Sequence, residues 1–268
     1  MTAAPDLAAF TPIDLDELNA HAALQTRVDR KYVIPASELA HLVRRLPAST
    51  RVLHIGGTAA LAYASRYFDT PELDSYLTGA RGRRHRFKVR TRTYLDSGGS
   101  FLEVKSKSGR SATVKQRIAW TGDDLDATAR TRAAELLSAA GVPAAERIAH
   151  RLRPSLDSSY RRVTLMLPGA TDAEDSRTTI DLDLQWSAPG RGILTLPDRV
   201  IVETKSGRRA GAMDRVLWHA GHRPISISKY GTGMAALHPE LPHNKWHRTL
   251  GRHFAGAQRR ADLERAAS

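Results

Sequence analysis

Residues 84–94 read Arg84-His85-Arg86-Phe87-Lys88-Val89-Arg90-Thr91-Arg92-Thr93-Tyr94. Side chains of a β-strand alternate between faces with a period of two. Arg84, Arg86, Lys88, Arg90 and Arg92 therefore share one face, while Phe87 and Val89 point the other way. Same-face neighbours stand roughly 7 Å apart. At an effective dielectric near 20 that is on the order of 2 kcal/mol of repulsion per adjacent pair, against about 0.6 in open water. Such a row persists only when it is hydrated or matched by anions. One strand of this kind fits a solvated sheet face.

Other segments repeat the pattern. Glu103, Lys105 and Lys107 oppose Leu102 and Val104; Lys115 and Arg117 oppose Val114 and Ile118. Arg177, Thr179, Asp181 and Asp183 oppose Ile180, Leu182, Leu184 and Trp186. Glu203 and Lys205 oppose Val200 and Val202, and Asp29 with Lys31 opposes Tyr32 and Ile34. Each apolar side suits contact with a helix. If the sheet curls closed, the charged sides meet inside it. An interior of Arg, Lys and a few carboxylates cannot be dry, because unpaired buried charge costs many kcal/mol. It has to be a wet tunnel that holds something. Arginine suits bidentate phosphate recognition, and scattered carboxylates suit a divalent cation bridging phosphate oxygens. Tripolyphosphate or a longer chain is the natural guest.

The remaining sequence sets the frame. Strands are expected at 28–34, 61–68, 84–94, 100–106, 111–119, 158–167, 177–186, 199–205 and 224–229, between Gly, Pro, Asp and Ser clusters. Helices are expected at 14–25, 37–46, 126–140, 144–152 and 210–220. The fold class is α+β: an antiparallel β-barrel of about eight strands, with helices packed outside. Three segments follow, an N-terminal helical piece at 1–26, a tunnel domain at 27–240 and a basic, loosely held tail at 241–268.

Composition agrees. The 268 residues are 41% hydrophobic and 26% charged, ordinary for a folded chain. Lys and Arg number 41 against 28 Asp and Glu, a net +13 that favours a polyanionic partner. The absence of cysteine excludes a disulfide framework, thiolate zinc and a Cys nucleophile. No signal peptide or ~18-residue apolar span is evident, so a cytoplasmic protein without a transmembrane segment is expected. His243 and His247 have helical ligand spacing but no third ligand, and read as surface histidines. Gly56-Gly57 and Gly98-Gly99 read as turns. The cations of the tail, Lys245, Arg248, Arg252, Arg259 and Arg260, lie near Trp246, yet no nucleic-acid motif accompanies them. No specific nucleic-acid partner is expected.

At several points the chain resembles the VTC domain, the polyphosphate polymerase branch of the CYTH or triphosphate-tunnel superfamily. The matching stretches are Asp29-Arg30-Lys31-Tyr32, Tyr67-Phe68-Asp69-Thr70-Pro71, Arg90-Thr91-Arg92-Thr93-Tyr94, Phe101-Leu102-Glu103-Val104-Lys105, Val202-Glu203-Thr204-Lys205 and Ser228-Lys229-Tyr230. They run in family order from about residue 27 to 237. The resemblance implies that Lys31, Arg90, Arg92, Lys105, Arg162, Arg177 and Lys229 contact phosphate, with Ser228 closing the ring. It implies that Glu203 holds Mn²⁺ or Mg²⁺. Lys205 joins the catalytic set, and Arg86, Lys88, Glu103, Lys115 and Arg117 the substrate-binding set. Two positions depart from the family pattern: Ser226 stands where some members carry a lysine, and the superfamily's first acid is Arg27. The expected activity is transfer of the γ-phosphate of ATP, or another triphosphate, to a polyphosphate chain. A triphosphatase of the same fold and a non-catalytic polyphosphate-binding module are the alternatives.

Overall fold

A computed structural model describes residues 4–22, 28–107, 113–122, 124–169, 171 and 174–260. Its strands are β1 (Thr11–Ile13), β2 (Val28–Pro35), β3 (Arg51–Leu53), β4 (Leu61–Asp69), β5 (Arg86–Tyr94), β6 (Ser100–Lys107), β7 (Thr113–Ala119), β8 (Arg153–Leu167), β9 (Ser176–Ala188), β10 (Gly192–Leu196), β11 (Arg199–Ser206) and β12 (Gln258–Arg260). Its helices are α1 (Leu15–Ala22), α2 (Ala36–Val43), α3 (Asp74–Ala80), α4 (Ala127–Ala139), α5 (Ala145–Arg151), α6 (Ala212–His219), α7 (Lys229–Leu237) and α8 (His247–His253). None of the described helices is long and apolar enough to cross a membrane.

The expected α+β class holds. One antiparallel path runs β2-β11-β9-β8-β4-β5-β6-β7. The short β10 and β12 extend from β9, while β3 pairs β8 and carries the parallel β1. The sheet curls without closing: among the described residues no ladder joins β2 to β7. These two edges carry Asp29, Arg30, Lys31, Lys115 and Arg117, and charged edges resist pairing. The curl still brings β6 toward β2 and β11, since Lys105 feels the charges of Lys31, Glu203, Asp29 and Lys205.

Outside the curl, the apolar sides bury against helices as the alternation requires. Tyr32, Ile34, Val200 and Val202 join Leu39, Leu42 and Val43 of α2 and Met213 and Leu217 of α6. Phe87, Val89, Leu102 and Val104 join Ala129, Ala133 and Leu137 of α4. The small alanine stripe lets α4 lie close to the sheet, and Asp126 caps it by accepting from the Ala129 amide at 2.8 Å. Inside, α7 fills one end of the curl, packing Tyr230 and Met234 on Leu156 and Trp186.

The structure corrects four expectations. Arg84 and His85 precede β5 rather than belonging to it. The run 224–229 is not a strand; a lone backbone bond ties Ile225 to Lys31 before Ser228 caps α7. Segment 243–260 is not loosely held: Trp246 and Phe254 are buried and β12 pairs with β10. Finally, the alternation in β9 breaks at Asp183, whose φ of 51° marks a bulge opposite Ser159 and Arg161. Beyond it, Leu184 and Trp186 turn to the inner face, and Asp183 pairs with Arg161 instead of lining the bore. Residues 23–25 of the expected first helix, residues 111–112 of an expected strand, Arg27 and residues 261–268 lie outside the described residues.

Candidate functional site

The strand registers arrange the inner face in rows. On β5 and β6, Arg90 stands opposite Glu103, Lys88 opposite Lys105, and Arg86 opposite Lys107. Glu103 is only 2% exposed yet remains charged, because Arg90 reaches it at 2.6 Å and Lys115 of β7 at 2.5 Å. Burial pushes its carboxyl up, but Arg90, Arg92 and Lys115 outweigh burial and bring it down to about 2. Tyr67 of β4 supports the row by accepting from Arg90 Nη1 at 2.9 Å. Arg92 lies over the Tyr63 ring, and Arg117 over that of Phe101.

On the opposite wall, Arg162 of β8 grips Asp181 of β9 bidentately, at 2.6 and 3.0 Å. Lys229, the first residue of α7, donates to the same carboxylate. Its ammonium also sits 4.3 Å from the Tyr160 ring centroid, and Arg162 lies over Tyr160 and Tyr63. Ser228 caps α7 through the Gly231 amide and accepts from Lys88 Nζ at 2.7 Å. The cap thus links α7 to β5. These charges on Arg162 and Lys229 hold Asp181 below the usual carboxylate range despite its burial.

A third cluster joins β2 and β11. Glu203 meets Lys31 at 2.9 Å and Lys205 at 2.6 Å, and Lys205 also meets Asp29 at 3.0 Å. Burial disfavours the Glu203 charge, but Lys31 and Lys205 override it and hold the group well below the usual range. Arg177 of β9 stands in register with Lys205. Among the described residues no three His, Asp or Glu side chains gather as a metal cage. The donors do fit a hard divalent cation that keeps most of its ligands as phosphate oxygens and water, since such an ion asks one or two carboxylates of the protein. Glu203 and Asp29 are the two carboxylates of this cluster, with Lys205 between them and Lys31 on the other Glu203 oxygen. His243 and His247 stack on one another, and His243 Nδ1 lies 2.8 Å from the Leu241 carbonyl.

The account of charge is lopsided. Lys31, Lys88, Arg90, Arg92, Lys105, Lys115, Arg162, Lys205 and Lys229 converge, and among the described residues Asp29, Glu103, Asp181 and Glu203 answer them. Cross-strand like charges about 5 Å apart repel by roughly 3 kcal/mol at an effective dielectric of 20. Lys88 registers the excess: enclosure, then Lys105, Arg90, Lys31 and Lys245, push its ammonium down to about 7. The bore is therefore built for anions.

Sequence reading missed the aromatic floor. Tyr63 and Tyr67 share a face by the same alternation, and registry with Arg92 and Arg90 through Ser65 and Tyr67 puts them inside. It also gave Asp69 no role. That carboxylate is fully buried, accepts from the amides of Thr70, Ser75 and Tyr76, and receives the hydroxyl of Tyr230 at 2.5 Å. It fastens α3 and α7 to β4.

Comparison with known proteins places these features. The chain matches no curated protein. Similar solved structures include a putative adenylate cyclase from Vibrio parahaemolyticus, 13% identical at a TM-score of 0.41, covering 76% of this chain and 95% of that one. Another is HpAC1 from Hippeastrum, described as a putative adenylyl cyclase with a dominant triphosphatase activity. It is 12% identical at a TM-score of 0.43, covering 82% of this chain and all of its own. The model of the VTC domain matches residues 26–238, a span that holds all three charge clusters and the α7 plug. The chain belongs to the VTC domain family.

Proposed function

We propose that the chain is a polyphosphate polymerase, transferring the γ-phosphate of a nucleoside triphosphate, ATP first among them, to the end of a polyphosphate chain in the bore. The observation that carries this reading is the excess of inward-facing Arg and Lys over carboxylate. Phosphoryl transfer asks a protein mainly for positioning and charge neutralisation, and these side chains supply both without a covalent nucleophile. Arg90, Arg92, Arg162 and Lys229 hold phosphate oxygens from two walls, while Lys31, Lys105, Lys115, Arg177 and Lys205 extend the cationic track. Arg86, Lys88 and Ser228 continue it, Glu103 fixes the guanidinium groups of Arg90 and Arg92, and Arg117 stands at its edge. Glu203 and Asp29 would hold Mn²⁺ or Mg²⁺, which would supply Lewis-acid charge neutralisation to the bound triphosphate.

A general base works best with a pKa near the operating pH. Glu103, Asp181 and Glu203 are shifted the other way by their cations and are not tuned to activate water. Lys88, pushed down to about 7, falls in the range of a base, so the phosphate acceptor rests on the family reading rather than on these groups. The terminal oxygen of a phosphate chain is already ionised and needs no base. It attacks the γ-phosphorus, the β–γ bridging bond breaks, and the nucleoside diphosphate leaves. A nucleoside triphosphate donor belongs to the cytoplasm, where this reading puts the chain.

The test is to incubate the protein with ATP and Mn²⁺ and to size the product on a gel. A ladder of long phosphate chains is expected. Orthophosphate alone would make the chain a triphosphatase, and salt-sensitive binding without turnover would make it a binding module.

A further inference from the structure

The rows of β5 and β6 change character along the strands. Arg90 is answered by Glu103, but the next two rows, Lys88 with Lys105 and Arg86 with Lys107, contain no carboxylate. They open on a cleft of about 220 Å³ that Tyr76 of α3 and Ser228 and Tyr230 at the start of α7 also line. A fifth cation enters it from outside the family span: Lys245, whose ammonium donates to the Gly79 carbonyl at 2.7 Å and lies over the Trp246 ring. Segment 243–260 is pinned there by burial of Trp246 and by Thr249, which donates to the Ser226 carbonyl at 2.9 Å. Ser226, one of the two positions that depart from the family pattern, lines the same cleft.

Among the described residues no Asp or Glu lines this cleft, and none forms an ion pair with Arg86, Lys88, Lys105, Lys107 or Lys245. The other clusters of the bore each contain a carboxylate. Lys245 is itself disfavoured as a cation by partial burial and by Arg86 and Lys107. Glu203 and Asp29 reach Lys105 only through their field, not as ion pairs. Like charges gathered with no paired carboxylate call for an anion from solution.

We infer that Lys107 and Lys245 carry the phosphate track of Arg86, Lys88 and Lys105 onward through this cleft, as a further phosphate subsite for the units of a phosphate chain that extend out of the bore. The inference rests on the tunnel reading of the bore. A chain of three phosphates is held inside by the carboxylate-matched rows, whereas a longer chain also engages Lys107 and Lys245 in the cleft. Lys245 and Lys107 thus discriminate by chain length.

Binding of tripolyphosphate and of long-chain polyphosphate is measured by calorimetry on the wild-type chain, Lys245→Met and Lys107→Met. The two variants lie on independent elements, so misfolding of one leaves the other. Each is expected to bind long-chain polyphosphate roughly tenfold more weakly, as loss of one charge-assisted contact implies. Tripolyphosphate binding stays unchanged, and Lys245→Arg restores the long-chain affinity. Unchanged long-chain binding in both variants overturns the subsite, and so does an equal loss for both chain lengths. Wild-type protein that ignores tripolyphosphate overturns the tunnel reading itself, an outcome visible before any variant is made.

Discussion

Glu203 and Glu103 are both enclosed carboxylates among cations, and their neighbours give them different work. Glu203 shares Lys205 with Asp29 and stands in register with Lys31 of the edge strand β2. Glu203→Gln keeps the shape and removes the charge, so metal-dependent turnover should fall roughly 100-fold or more, while tripolyphosphate binding persists. Activity that survives with its metal dependence intact would remove Glu203 from the site. Glu103 instead fixes Arg90, Arg92 and Lys115. Its folded pKa is depressed, so its stabilisation is present above the unfolded value near 4.5 and is lost as pH falls toward about 2. Glu103→Gln should cost about 3–5 kcal/mol in urea unfolding at neutral pH, and the gap to wild type should shrink across that acid window. A gap that does not change with pH would mean that the carboxylate's charge is not what holds the row. The inward identity of these residues was legible in the sequence because period-two alternation needs only a regular strand. Asp183 was misplaced for the same reason: a bulge with positive φ inverts every side chain after it, and nothing in Asp181-Leu182-Asp183-Leu184 announces one.

At the scale of elements, α7 decides whether the curl is a channel or a cup. Its sequence, Lys229-Tyr230-Gly231-Thr232-Gly233-Met234, argues against a helix, since glycine costs roughly 1 kcal/mol there relative to alanine. The glycines are packing requirements. A Cβ on Gly233 would lie 2.5 Å from Trp186 Cδ1, and one on Gly231 would lie 2.3 Å from Trp246. Gly233→Ala gains helix propensity of about 1 kcal/mol but meets an overpacking cost of about 1–3 kcal/mol. Net destabilisation in thermal unfolding is therefore expected; a stabilised variant would show that α7 is not wedged against β9. The Asp69–Tyr230 contact locks the same helix. Burial raises the Asp69 carboxyl to about 6, with Tyr230 and the Ser75, Tyr76 and Thr70 amides pulling the other way. A raised folded pKa gives stability that is full below the unfolded value near 3.8 and declines as pH rises through about 6. Tyr230→Phe removes a donor that lowers this pKa. It should cost about 1–2 kcal/mol and move the decline to higher pH, and an unmoved profile would assign that titration elsewhere. The run Pro224-Ile225-Ser226-Ile227-Ser228 looks like a strand by alternation, and only the three-dimensional position of Ser228 as a cap reveals the turn into α7.

For the whole molecule, the two apolar outer layers and the charged inner face follow from one repeated pattern, which is why the fold class was readable before any coordinates. The open seam between β2 and β7 and the docking of segment 243–260 were not, because both depend on which edges meet rather than on any local period. Trp246 and Phe254 stand alone among basic residues in sequence and acquire an apolar context only against Tyr76 and Trp186. Net charge matters at this scale as well. A cationic bore destabilises its own folded state, so a fitting polyanion should stabilise the protein beyond ordinary ionic screening. The most direct measurement is the thermal midpoint in tripolyphosphate against sulfate at equal ionic strength. At about 100 times the dissociation constant, tripolyphosphate should add about 2.7 kcal/mol, a rise of roughly 5–10 °C that sulfate does not match. A midpoint that moves no further in tripolyphosphate than in sulfate would contradict the claim that these side chains form a site for linear phosphate.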